Sequence, residues 1–210
     1  MGSADRSVNA PGGAPSLASC RTVEPLPASF LEPLLALQPL EWLQRTGWVQ
    51  RGIAAPETIA GHVLGSCHAI LALGPRVDPP IDVERAVVLA LVHDAPEALI
   101  GDWPRTAARL LPEGAKARVE ELAAREVLGR LSADAQERFA EFRAQATREA
   151  RFARLCERLQ LGVRLIGYLR LGIGGLEEFV ETIRALDCAE FPPADALRRE
   201  ILAAAGGSRT

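Results

Sequence analysis

The sequence predicts an all-α chain folded as one helical bundle. Two observations carry that prediction. Apolar residues recur three and four positions apart from about residue 28 onward, and no stretch shows the strict alternation of a half-buried strand. Pro and Gly fall between those segments, with no internal repeat and no domain linker. At 210 residues the chain fits one domain with a sizeable core.

Residues 1–27 are rich in Gly, Pro, Ala and Ser without a period, and read as a disordered tail. The bundle is expected over 28–205, with a short tail at 206–210. A first helix is predicted from Ala28 or Ser29 to Gln44, kinked or split at Pro39. The next helix opens at Pro56-Glu57, where Pro suits a first turn and Glu suits the dipole, and runs to about Leu73. Asp82 is a plausible N-cap for the central helix. That helix contains seven apolar residues without a polar break, Ala86 to Val92, so it is buried nearly all round. Pro96 should bend it and Gly101 should stop it. A short helix is expected over Arg105–Leu111, a longer one over Lys116–Leu131, and a long one from Ser132 to about Tyr168 or Leu171. Leu176–Leu186 and Ala196–Ala204 complete the set.

Composition excludes several classes of function. The formal net charge is −3, and no Lys/Arg run with interleaved aromatics appears, so a nucleic-acid polymer is not the expected partner. The 23 Arg against the single Lys116, with abundant Ala, look like coding bias. No stretch approaches the ~18 apolar residues of a membrane span. Leu17-Ala18-Ser19-Cys20 looks like a lipoprotein cleavage box, but no apolar segment precedes it. Arg6 stands where a myristoylation signal needs Ser or Thr. Cys20, Cys67, Cys156 and Cys188 are far apart and read as free thiols in a reducing compartment, which points to the cytoplasm.

The chemistry concentrates in Glu84–Pro104, ERAVVLALVHDAPEALIGDWP. The apolar run ends abruptly in His93-Asp94, with Glu97 three positions later and Gly101-Asp102 beyond. A buried charge there is costly unless paired or bound to a cation, and His beside Asp supplies metal-competent atoms. A solvated helix end with Gly101 just past it would give the same residues a purely structural role.

His93-Asp94, Glu97, Gly101 and Asp102 resemble the H-D-x-x-E-x-x-x-G-D pattern of HD-domain metallohydrolases, in particular the HD-domain 5'-deoxynucleotidases. The resemblance extends to Arg45-Thr46-Gly47-Trp48-Val49, to Pro56-Glu57 through His62, and to Glu149-Ala150-Arg151-Phe152 with Tyr168. It implies a single HD-domain helical bundle in which His62, His93 and Asp94 ligate one divalent metal. Mn, Co, Mg, Fe and Zn are not distinguished. By residue type alone, His62 could equally be a packed histidine and Trp48 a packed tryptophan; the resemblance puts the first on the metal and the second in the substrate pocket with Arg45. His68 receives no role. Where the family closes its site with Asp, this chain has Glu157, which could bind directly, bind through water, or be a lost ligand. With three His in the chain, a two-metal site of the phosphodiesterase or oxygenase kind is short of ligands.

The implied function is metal-dependent removal of the 5'-phosphate from (deoxy)nucleoside monophosphates, with Glu97 as general acid/base and Asp102 and Arg45 placing water, sugar or phosphate. Two alternatives stay open: an HD module that binds metal or nucleotide but has lost turnover, and a hydrolase of another small phosphate ester. The expected partner is a small nucleotide or phosphate ester, with no membrane, and the family resemblance brings a homodimer into view.

Overall fold

A computed structural model describes residues 29–207. The tail expected over 1–27 lies outside the described residues, as do the last three residues of the tail expected at 206–210. The described chain is all-helical: α1 (Leu31–Leu35), α2 (Thr46–Val49), α3 (Ile59–Leu73), α4 (Val83–Val92), α5 (Glu97–Ile100), α6 (Arg105–Ala108), α7 (Ala115–Leu131), α8 (Ala133–Ala144), α9 (Arg148–Arg170), α10 (Glu177–Arg184) and α11 (Pro192–Gly207). Among the described residues the extended pairing amounts to an isolated antiparallel bridge, Gln44 with Thr58. No helix among the described residues is long and apolar enough to cross a membrane.

The axis of the bundle is α9, which packs against α3, α4, α8, α10 and α11. Its apolar positions fall on several faces, so Phe152, Leu155, Leu159, Leu165 and Ile166 are all buried. With Ile59, Ile70, Leu89, Phe142, Ile183 and Ile201 from other helices and Phe191 just before α11, most of them build one core. Each such side chain stabilises the fold by roughly 1.5–3 kcal/mol relative to its exposed state. Four of the helices that bear on the site start at side-chain caps: Thr58, Asp82, Ser132 and Thr147 accept the N–H of Gly61, Arg85, Ala135 and Ala150. Each cap contributes about 1 kcal/mol and fixes where its helix begins.

Several boundaries differ from expectation; α6 ends at Ala108 rather than Leu111, and α11 begins at Pro192 rather than Ala196. Pro39 does split the first element, leaving α1 and a 3₁₀ turn over Gln38–Glu41, and Phe30, Leu31 and Leu34 remain exposed. The helix expected from Pro56 starts at Ile59, because Thr58 is its cap; Glu57 stands outside it. The central helix is broken rather than bent. After Val92 the backbone tightens to i→i−3 bonds (Ala95 N–H to Val92, Glu97 N–H to Asp94), and α5 starts after Pro96, which has no N–H to donate. The long helix expected from Ser132 onward is two helices, divided where Gln145 takes a left-handed φ of 54° and Thr147 caps α9. Gly206 and Gly207, assigned to the tail, lie in the last turn of α11.

Candidate metal centre

His62 comes from α3, and His93 and Asp94 come from the tightened turn after α4. Their ligand-capable atoms all lie within 4.8 Å of one another. His93 Nε2 is 3.1 Å and His62 Nε2 is 3.8 Å from the same oxygen, Asp94 Oδ2. Two atoms bound to one ion at ~2.0–2.2 Å stand about 3.0–3.5 Å apart, so this spacing suits a shared cation after slight contraction.

The far side of each imidazole fixes which nitrogen is free. His93 Nδ1 is 2.5 Å from the Ala90 carbonyl, which can only accept, so Nδ1 carries the proton and Nε2 a lone pair. His62 Nδ1 is 2.5 Å from Gln160 Oε1. The Gln160 amide nitrogen donates to Glu57 Oε2 at 2.9 Å, so its oxygen must face His62, and Nδ1 again carries the proton. Both Nε2 atoms are buried without a hydrogen-bond partner, and so is Glu97 Oε2. Each unpartnered buried polar atom costs about 1–3 kcal/mol. Two such lone pairs meeting beside a carboxylate are what a cation satisfies, and the donor set of two imidazoles and a carboxylate fits a divalent metal.

Charge reinforces the picture. Burial, helped by the Arg45 guanidinium, pushes the His62 pKa down to about 3, so the ring stays neutral and ligand-competent. Burial opposes the charge on Asp94, but His93, Arg45 and His62 together hold it well below the ordinary carboxylate range. Burial also works against protonated His93, yet Asp94, 3.1 Å from Nε2, and Glu157 hold its pKa above the usual value, so a cation bound at Nε2 would take the place of a proton. Glu97 goes the other way: burial, then Asp94 and Asp102, push its carboxyl far above the ordinary range. One buried acid thus favours its proton one turn from another that favours charge, the separation that acid/base chemistry needs.

Glu157 faces this centre from α9. One oxygen is 3.9 Å from His62 Nε2; the other is 3.8 Å from both Arg154 and Arg158. Arg45 reaches Asp94 at 3.3 Å. Burial opposes its charge, and Asp94, Asp102, Glu97 and Glu157 outweigh that. Asp102 ties the far loop to α2, accepting the Thr46 N–H at 2.6 Å while its carbonyl accepts the Thr46 hydroxyl at 2.8 Å. A cavity of about 290 Å³ opens over His93, Asp94, Glu97, Asp102, Glu157 and Arg45. A larger one of about 970 Å³ adjoins it at Arg45 and Glu157, with Leu161, Phe179, Thr106 and Arg158 on its walls.

Trp48 is the predicted substrate residue that the fold brings to neither cavity. It is 1% exposed, stacked on Phe179 at 4.1 Å, edge-on to Tyr168, and its indole N–H is donated to Glu57. Three residues that line or support the centre escaped sequence reasoning. Arg154 lines the smaller cavity and lies over the Phe142 ring at 4.3 Å, where burial lowers its pKa. Gln160 and Glu57 support His62. A signal did exist for two of them: Arg154 and Gln160 stand three positions either side of Glu157, on one face of α9. Glu57 carried the dipole signal and a place in the Pro56-Glu57 to His62 match, neither of which gave it this role.

The HD domain family profile matches residues 38–174. The chain is 29% identical over 138 residues to the 5'-deoxynucleotidase HDDC2 of Mus musculus and 30% identical over 138 residues to that of Bos taurus. Each match covers 63% of this chain and about two thirds of the relative, 67% and 65% respectively. Among solved structures, a protein from Pyrococcus horikoshii OT3 is similar with a TM-score of 0.71 and 28% identity, over 82% of this chain and 98% of the other.

Proposed function

This chain belongs to the HD domain family and is a hydrolase resembling the 5'-deoxynucleotidases, and from that premise we propose that it removes the 5'-phosphate of nucleoside monophosphates, deoxy forms preferred. One divalent cation would be held by His62, His93, Asp94 and Glu157. When bound, that cation polarises a phosphoryl oxygen and lowers the pKa of a water beside it.

The chain's own residues do the rest. Arg45 and Arg154 reach the small cavity as guanidiniums and bind phosphate oxygens, which suits their planar donor arrays. Glu97 holds a proton at its carboxyl, its Oε2 without a partner, and hands it to the leaving sugar oxygen. Asp102 positions Arg45 through Thr46, the residue after it. The phosphate occupies the smaller cavity, and the nucleoside extends past Arg45 and Glu157 into the larger one. The proposed setting is the cytoplasm, and sedimentation equilibrium tests for the homodimer that the family resemblance suggests.

The observation that carries this reading is the convergence of His62 Nε2 and His93 Nε2, both partnerless, beside Asp94. Its test is a phosphate-release panel of ribo- and deoxynucleoside 5'-monophosphates and simple phosphate esters, on protein loaded with Mn, Co or Mg. Release from deoxynucleoside monophosphates ahead of the others is expected. Release only from other esters would move the substrate class. No release from any of them would favour a binding module, the reading that Glu157 in the family's Asp position supports.

A further inference from the structure

His62 is held by a chain of buried side chains that reaches across three helices. Glu57 is the anchor: its side chain is 1% exposed. Its Oε1 accepts the Trp48 indole N–H at 2.9 Å, and its Oε2 accepts Gln160 Nε2 at 2.9 Å and Arg164 Nε at 3.0 Å. Its backbone N–H donates to the Tyr168 hydroxyl at 2.8 Å. A carboxylate tied at both oxygens and at its backbone cannot turn. Gln160 is therefore held in one orientation, because a flipped amide would set oxygen against the Glu57 carboxylate and an N–H donor against His62 Nδ1–H. Space is reserved for it as well. A Cβ on Gly65 would stand 2.8 Å from Gln160 Cγ and 2.9 Å from Nε2, so any larger residue there evicts the amide.

We infer that Glu57 and Gln160 are positioning residues that set the tautomer and ring rotation of His62 for a divalent cation, and that Gly65 is the gap that admits them. The inference rests on the proposed cation site and not on its substrate. The amide has a purpose that a carboxylate in direct contact would not serve. It passes on orientation while keeping the negative charge one residue further away, paired with Arg164. The imidazole is then presented as a neutral ligand with its lone pair forward. Trp48 enters the same account: it acts on the metal centre through Glu57 rather than on substrate.

The test needs no turnover. In metal-free wild type, long-range proton–nitrogen NMR of His62 should report the Nδ1–H tautomer. Gln160→Leu keeps the bulk and removes both hydrogen bonds. It should give a tautomer mixture and weaken Mn²⁺ or Zn²⁺ binding, measured against a competing chelator, by about 10–100-fold. Gly65→Ala should do the same without deleting a polar group. The exchange E57Q/Q160E sets a carboxylate against His62 Nδ1–H, so it should restore the single Nδ1–H tautomer that Gln160→Leu loses, without the neutral spacing that the amide provides. Wild-type affinity in both folded single variants, or an Nε2–H tautomer in wild type, overturns the inference. Should neither variant fold, the wild-type tautomer decides alone. A protein that binds metal as described but releases no phosphate would sink the proposed activity and leave this inference standing.

Discussion

His93 and His62 present the same ring nitrogen to one point, yet the regions that hold them are built differently. The hydrogen bonding of the His93 ring is local. Its Nδ1 hydrogen bonds to Ala90 three residues back, Asp94 follows it, and Glu97 stands at the start of α5. Around His62 everything is distant: Gln160 is 98 residues away, and Gln160 meets Glu57 across 103. The first region is set chiefly by a tightened turn, with Phe142 against His93 and Arg45 on Asp94. The second needs α3, α9 and the α2 segment packed in register before His62 points anywhere useful. Damage to the first should therefore abolish the centre outright, and damage to the second should weaken it by degrees.

The sharpest break is Asp94→Asn. It removes the one charge that both imidazoles share, and the protein should no longer retain a stoichiometric cation under conditions that load wild type. Elemental analysis after dialysis checks it; a full equivalent retained would mean that the distant region binds metal by itself. Next comes Glu97→Gln, which keeps shape and discards the proton. Turnover should fall by ~10²–10⁴ while metal content stays at the wild-type level. Metal lost together with activity would place Glu97 among the ligands.

Glu157→Gln tests whether the distant region supplies a ligand as well as support. Chelator competition should show affinity for the cation falling about 10–100-fold, and Glu157→Asp should be tolerated. Unchanged affinity in the Gln variant would leave the three-residue cluster as the whole centre. The smallest effect is expected from Trp48→Phe, which preserves the stack on Phe179 but takes a donor from buried Glu57. Denaturant unfolding should show a loss of about 1–3 kcal/mol. A wild-type midpoint would show that the indole N–H does not restrain Glu57.

Much of the molecule was legible in the linear order of residues. The all-α class followed from periodicity, because a helix writes its buried face at a spacing of three and four. The boundaries of α7 and α10 came within two residues of expectation, since Gly114 and the Gly172–Gly175 cluster interrupt the chain on either side. The half of the centre on the α4–α5 turn was visible for the same reason: His93, Asp94, Glu97 and Asp102 are neighbours in sequence, so their meeting is a matter of local geometry. What resisted was decided by competition between local signals. Pro96 could bend or break a helix, and the i→i−3 bonding around Asp94 settled it. Gln145 sits in an unbroken helical pattern, and only the capping of α9 by Thr147 divides it.

The sequence by itself determined the helices, the doublet and the residue types that could face a metal, because those depend on interactions spanning a few residues. Only the tertiary structure decided that Trp48 is buried against Phe179 and lines neither cavity, and that Glu57 is a buried anchor rather than a helix-start charge. It also decided that Gln160 turns its oxygen to His62. Those outcomes depend on which donors and acceptors are left together when water is removed from between α2, α3 and α9. A buried polar group must find its partner among whatever the packing brings near, and that partner carries no mark in the sequence around it.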